Sequence, residues 1–372
     1  MDFSFTDEQA TLRQSVAGYL QKSYDVATRR ELVASERPFS TEVWRTLRDL
    51  GLLALPFPEE LGGYGGSVVD LVAVAEPFGE ALLVEPYLPS VVLAGRALAA
   101  TAEQPSARDW LTRLMTGEAL GAFAHEEGPA TADPTRVALQ AERVGDRLRL
   151  SGDKRLVLGA AEADVLVVTA RLTGEPGSPD GLALLLVEPG AGVRLTPVTT
   201  VDGRSAAHVS FDGVEVAADQ LLADDAYAVV ADVVGLAILV LAAEAVGAMG
   251  ALLRQTSEYA SVREQFGVPI GTFQAVAHRL ADMKIAHTQA RATLLYTTAL
   301  AEAGRAAAYD LSVLKAQVGR LGRRVGEAAI QTHGGVGMTD ELAVGHYVKR
   351  LLAIDAMLGD SEHHLRRVGA GA

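Results

Sequence analysis

From Thr6 onward apolar residues return at spacings of three and four, through Leu12, Val16 and Leu20, which is the period of an amphipathic helix. Thr6, with Glu8 and Gln9 just behind it, stands where an N-cap belongs. The same spacing predicts helices over 40–55 and 68–83. Between them Pro56, Pro58 and the run Leu61-Gly62-Gly63-Tyr64-Gly65-Gly66 break the pattern. An all-helical domain over residues 1–118 is the reading.

Near Leu120 the texture changes to short runs rich in Val, Leu and Thr, at 137–144, 147–150, 156–158, 165–171, 182–187 and 209–216. Gly145-Asp146 and Gly152-Asp153 read as turns between them, and 173–179 as a surface loop. A small antiparallel β-barrel domain over 119–223 is expected. Long helical patterns then cover 226–261, 273–305, 309–332 and 347–367, the elements of a four-helix bundle over 224–372. The fold class is α+β.

A chain of 372 residues, about half of them apolar, is long enough for two or three well-buried domains. Its net charge of -14 repels polyphosphate backbones, so no nucleic acid is expected as a partner. With no cysteine, thiol nucleophiles and thiolate metal sites are excluded, no metal site is expected, and redox chemistry would need a bound cofactor. The N-terminal residues lack the basic region and apolar stretch of a secretion signal. The longest unbroken apolar run, 233–243, is shorter than the roughly 20 residues of a spanning helix. A cytoplasmic protein without membrane insertion is expected.

Three motifs are more specific. Residues 259–283 read YASVREQFGVPIGTFQAVAHRLADM; residues 331–337 read QTHGGVG, with Glu341 and Val344 following; residues 59–66 read EELGGYGG. In that order they resemble the signatures of the acyl-CoA dehydrogenase family over essentially the whole chain. The ending Leu358-Gly359-Asp360-Ser361-Glu362-His363-His364-Leu365 is similar to that of the pimeloyl-CoA dehydrogenase small subunit type, a hetero-oligomeric branch. The resemblance implies the acyl-CoA dehydrogenase fold: an N-terminal helical domain, a central antiparallel β domain and a C-terminal four-helix bundle. It also implies FAD as cofactor, an acyl-CoA thioester as substrate and an electron-transferring flavoprotein as electron acceptor. A homologous subunit is the implied partner, in a dimer or an α2β2 tetramer.

The two negative charges of the FAD pyrophosphate call for a guanidinium and for backbone N–H groups that can come close, as at glycines. Arg263 and the pair Gly334-Gly335 match. By the resemblance, Arg263, Gln265, Phe266, Gln274, Gln331, Gly334 and Gly335 hold the adenine half of an FAD whose flavin ring lies in the neighbouring subunit. Each has a plainer reading by itself: the glycine pair as a turn, Arg263 as a solvated partner of Glu264, and EELGGYGG as a segment that only shapes the chain.

The family reaction takes a proton from the carbon alpha to the thioester, so a desolvated carboxylate must face that carbon. The usual position of this base falls on Leu358, followed by Gly359 and Asp360, and the second known position on Ala237. Seven residues on stands Glu244, whose helical neighbours Ala237, Val240, Leu241, Gly247, Ala248 and Ala251 are apolar or small. Glu244 is therefore the nominated base. The alternative is a carboxylate paired with an arginine of the third or fourth bundle helix, and Asp360 is a weaker candidate. The flavin-contact segments depart as well: Thr-Glu-Pro has become His125-Glu126-Glu127, and Trp-Ile-Thr-Asn has become Leu156-Val157-Leu158-Gly159, so His125 and Leu158 replace two hydroxyls. Gly235, Ala242, Ala243 and Gly247 hint at room for a bulky or long acyl group.

Three functions stay open. The first is one subunit of a heteromeric acyl-CoA dehydrogenase that completes its partner's FAD site. The second is a self-sufficient homo-oligomer using Glu244, and the third a non-catalytic structural or ligand-binding subunit on the same scaffold.

Overall fold

The structure, a computed structural model, describes residues 5–128 and 133–371. The helices in chain order are α1 (Asp7–Ser23), α2 (Val26–Ala34), α3 (Thr41–Asp49), α4 (Val68–Ala81), α5 (Arg96–Ala100) and α6 (Pro105–Met115). After the strands come α7 (Tyr227–Val262), α8 (Gln274–Glu302), α9 (Ala308–His333), α10 (Ala343–Ala356) and α11 (Ser361–Ala370). The strands between are β1 (Gly121–Ala124), β2 (Gln140–Val144), β3 (Arg147–Leu158), β4 (Val165–Arg171), β5 (Leu182–Val187), β6 (Val193–Thr199), β7 (Ser205–Ala217) and β8 (Leu221–Ala223). A two-stranded hairpin, β9 (Glu264–Gln265) and β10 (Val268–Pro269), links α7 to α8.

Capping chemistry fixes the helix starts. Thr6 and Gln9 form a reciprocal capping box on α1, and Ser67 and Asp70 do the same on α4. In the EELGGYGG segment a Cβ on Gly63 would overlap the Phe57 carbonyl, and one on Gly66 would crowd the Leu55 carbonyl. These glycines let the chain fold back on itself, which is the shaping role. The helix expected over 40–55 stops at Asp49, because Gly51 turns left-handed at φ 78°. The helix expected over 347–367 is in fact two, α10 and α11, parted where Leu358 and Gly359 take φ 54° and 89°. A π-helical segment, Tyr87–Gly95, left no periodic trace that sequence reading could use.

Compact packing divides the chain into one unit of residues 1–31, 67–83 and 238–372 and another of residues 32–66 and 84–237. The second unit holds the sheet, in the order β6-β7-β3-β2-β4-β5-β8, with β1 beside β4. Most pairings are antiparallel, but β1 runs parallel to β4 in register Gly121↔Val165 to Ala124↔Val168, so the domain is not purely antiparallel. Gly152-Asp153 is not a turn. β3 runs through it as one strand with a bulge, and Gly152 at φ 137° absorbs the irregularity. Leu148, Leu150, Val168, Leu185, Val209 and Phe211 form its core.

In the first unit α4 crosses α7 at backbone contact. A Cβ on Gly79 would overlap the Glu244 carbonyl, and one on Gly247 would overlap the Glu76 carbonyl. Gly247 thus admits helix α4 and leaves no room there for an acyl group, contrary to the sequence reading. Helix α7 is long and apolar enough to cross a membrane by length and composition, yet most of it is buried within the protein, as in a core helix.

Candidate cofactor-binding site

Four chain segments meet at one end of the helical unit. The Tyr259 ring, near the end of α7, stacks on His333, the last residue of α9, with centroids 4.4 Å apart and planes at 24°. One turn after Tyr259 comes Arg263, whose N–H donates to the Tyr259 carbonyl at 2.9 Å. Directly after His333 come Gly334 and Gly335. Arg279 of α8 donates to Thr332 Oγ1 at 3.4 Å, which ties the first turns of α8 to the end of α9. The structure therefore gathers the region of Arg263, Gln274, Gln331, Gly334 and Gly335 that the motifs singled out.

Most of these residues are exposed. Arg263 is exposed, and its guanidinium makes no hydrogen bond or ion pair with the described residues, so the pairing with Glu264 does not form. Gln265 Nε2 donates to the Glu264 carbonyl at 2.8 Å. Phe266, at the hairpin turn with φ 57°, is 94% exposed and meets Phe273 edge-on. Gln274 opens the 29-residue helix α8, whose N-cap, Phe273, offers no side-chain hydrogen bond. That end therefore presents unsatisfied N–H groups and the positive pole of the helix. Gln331, Gly334 and Gly335 are exposed, and a Cβ on either glycine would meet nothing within 4 Å. A guanidinium, a helix N-terminus, bare backbone and an exposed aromatic ring suit a ligand that is anionic in one part and planar in another.

Glu244 is placed differently from what a base requires. Arg350 of α10 grips it with both arms, Nε to Oε1 at 2.8 Å and Nη2 to Oε2 at 2.6 Å, and both residues are buried. A carboxylate whose two oxygens accept from one guanidinium has its basic lone pairs engaged. The partner lies on the fourth bundle helix, the alternative that the sequence left open. Asp360 is also committed: its Oδ1 caps α11 by accepting from the His363 N–H at 2.7 Å. Around it the 357–360 loop is pinned from inside. Buried Lys315 donates to the carbonyls of Asp355 and Gly359 at 2.8 and 2.6 Å, and His364 Nε2 reaches the Leu358 carbonyl at 2.9 Å.

In the sheet unit, His125 is buried and burial pushes its imidazole down to about 3, so it is neutral. Its Nδ1 lies 3.0 Å from Thr169 Oγ1. Lys154, fully buried, donates to Glu127 Oε1 at 2.6 Å, to Thr169 Oγ1 at 3.0 Å and to the His125 carbonyl at 3.1 Å. Desolvation lowers this lysine to about 8, against the pull of Glu127. Burial raises Glu126 to about 7, and its Oε1 has no hydrogen-bond partner among the described residues. The Leu158 side chain offers no donor, and Leu156, at a bulge with φ 50°, is exposed. Sequence reading missed Lys154 and Thr169. Lys154 shares the inward parity of Leu148 and Leu150, but a turn assumed at Gly152 hid that alternation.

Comparison with known proteins agrees with this architecture. The family description "Acyl-CoA dehydrogenase, N-terminal domain" matches residues 6–118, and "Acyl-CoA dehydrogenase, C-terminal domain" matches residues 229–372. An acyl-CoA dehydrogenase of Mycobacterium tuberculosis, FadE27, is 32% identical over 99% of this chain and 98% of its own length. Among solved structures, a chain of the ChsE4-ChsE5 complex from Mycobacterium tuberculosis superposes with a TM-score of 0.89 at 32% identity, covering 100% of this chain and 98% of that one. A chain of the Tcur3481-Tcur3483 steroid enzyme gives 0.87 at 29% identity, covering 98% and 97%. The chain belongs to the acyl-CoA dehydrogenase family, whose members are flavoprotein oxidoreductases.

Proposed function

We propose that this chain is one subunit of a heteromeric, FAD-dependent acyl-CoA dehydrogenase, of the type of the pimeloyl-CoA dehydrogenase small subunit. In this reading it contributes the adenine-side half of an FAD site completed by a homologous partner. The observation that carries it is the contrast between two arginines. Arg263 stands exposed and unengaged among the described residues, beside the uncapped N-terminus of α8, while Arg350 consumes the one nominated base. An adenine-side surface is present and a catalytic carboxylate is not offered by Glu244.

The residues present fit the ADP half of FAD. Arg263 and the α8 N-terminus would meet the pyrophosphate, Gly334 and Gly335 would let it approach the backbone, and Phe266, Gln265, Gln274 and Gln331 would border the adenosine. When bound, FAD supplies the hydride acceptor for the beta carbon of the acyl thioester. This chain's own part is to hold and orient the dinucleotide and to exclude water from it. Two relatives support the heteromeric reading, since one is a ChsE4-ChsE5 complex and another a Tcur3481-Tcur3483 steroid enzyme. Electrons would pass to an electron-transferring flavoprotein.

The test is Arg263→Ala in the co-expressed complex. Losing one charge-assisted contact worth about 1.5–3 kcal/mol weakens FAD retention by roughly ten- to a hundredfold. Unchanged retention overturns the assignment of this surface.

A further inference from the structure

Gly334 and Gly335 sit on a segment, residues 334–342, that leads from the end of α9 into α10, and Gly334 turns it at φ 67°. Its exit lacks the usual chemistry: Leu342, the N-cap of α10, offers no side-chain hydrogen bond. Two side chains of α10 reach back to Asp340 instead. Lys349 Nζ meets the Asp340 carboxylate at 3.3 Å, but both side chains are exposed and such a pair contributes little. His346 Nε2 lies 3.2 Å from the Asp340 carbonyl, and this ring is buried.

The other ring nitrogen is engaged as well. Nδ1 lies 3.3 Å from Nη1 of Arg29, a buried guanidinium on α2 whose Nε donates at 3.1 Å to the carbonyl of Leu82, the C-cap of α4. A guanidinium can only donate and a carbonyl can only accept, so Nδ1 accepts and Nε2 carries the hydrogen. One neutral tautomer meets both contacts, and a second proton would set N–H against N–H at Arg29. The charged groups facing the ring are Arg29 from α2, Lys349 from its own helix and Asp340 from the segment. Desolvation is the largest influence and lowers the imidazole from its ordinary 6.5; the Asp340 carbonyl opposes this, and Arg29 and Lys349 add to it. The native ring therefore resists the proton that a released ring would take, and acid favours release.

We propose that His346 is a positioning residue for the dinucleotide site: oriented by Arg29, it holds residues 334–342 in the shape that presents Gly334 and Gly335, and lets them go when it is protonated. The inference rests on the FAD reading above and adds a pH-dependent control to it.

The test uses the co-expressed complex between about pH 7.5 and 5.5, the range in which a histidine changes charge. Hydrogen exchange by mass spectrometry, corrected for the intrinsic effect of pH, reads the protection of 334–342, and dialysis against FAD-free buffer reads flavin retention. In the native complex both should be high at the upper pH and fall together as the pH drops below about 6.5. His346→Leu should weaken retention about three- to tenfold at the upper pH, the worth of one neutral hydrogen bond, and flatten its pH dependence. His346→Gln keeps an amide N–H for the Asp340 carbonyl and does not titrate, so it should retain flavin at both ends of the range. A histidine that only fills space would not divide the two variants in this way. His346→Leu with native protection and retention, or His346→Gln with the native fall at low pH, overturns the proposal. If flavin binds, and protection follows His346 while retention does not, the proposal fails and the FAD reading stands. If the native complex binds no flavin, the FAD reading fails and the proposal with it.

Discussion

The Glu244 carboxylate and the Arg350 guanidinium form a two-armed ion pair, 2.8 and 2.6 Å, between α7 and α10, in a place that the surrounding helices keep dry. Neither charge can be removed alone without stranding the other. Glu244→Gln should therefore cost about 3–5 kcal/mol of stability, read as a drop in the denaturant midpoint. Pairing it with Arg350→Met should recover most of that loss. A Glu244→Gln protein as stable as the native one, but without turnover in the complex, would restore Glu244 as base.

Two glycines separate packing from binding. Gly247→Ala drives a methyl into the Glu76 carbonyl and should cost about 1–3 kcal/mol or more. Gly335→Ala points into open space and should leave the thermal midpoint almost unmoved, while lowering flavin retention in the complex. Equal destabilisation by both changes would contradict this division.

Burial makes Glu126 hold its proton up to about 7, whereas in the unfolded chain it lets go near the ordinary value of 4.5. Between those values the native state binds more protons than the unfolded one, so this group's contribution to stability is full below about 4.5 and is lost as pH rises through 7. Glu126→Gln, neutral throughout, should raise the thermal midpoint at pH 8, by the equivalent of about 1–3 kcal/mol. The gain should fade as the pH is brought below 5. A gain that is the same at both ends of that range would show that ionisation is not its source.

Lys315 holds the 357–360 loop by the carbonyls of Asp355 and Gly359. Lys315→Met should release that loop and speed amide hydrogen exchange in α11 before the rest of the helical unit. Uniform exchange across α9, α10 and α11 would mean that the lysine supports the bundle as a whole.

Much of this was legible in the chain. The helical spacing around Val16 and Leu20 and the pair Thr6 and Gln9 gave α1 with its cap, because local periodicity and capping chemistry act within a few residues. The cluster of Arg263 with Gly334 and Gly335 was legible through motif order, and the structure joins its two halves through the Tyr259–His333 stack. What escaped was set by distant partners. Nothing in the residues around Glu244 names Arg350, which is 106 positions away, so the choice between base and ion pair needed the fold. Gly152 looked like a turn because glycine at positive φ serves bulges as well as turns. Gly247 looked like space because a missing side chain can admit either a ligand or another helix, and here it admits α4.

On the proposed reading, this chain supplies part of an FAD site without owning a whole one. The most direct measurement is flavin stoichiometry, by absorbance against chain mass, for the chain expressed alone and for the complex with a homologous acyl-CoA dehydrogenase subunit. Little flavin is expected on the chain alone, with fewer flavins than chains in the complex and loss of the complex's flavin on Arg263→Ala in this subunit. A full flavin complement on the chain alone, with turnover of an acyl-CoA thioester, would contradict it.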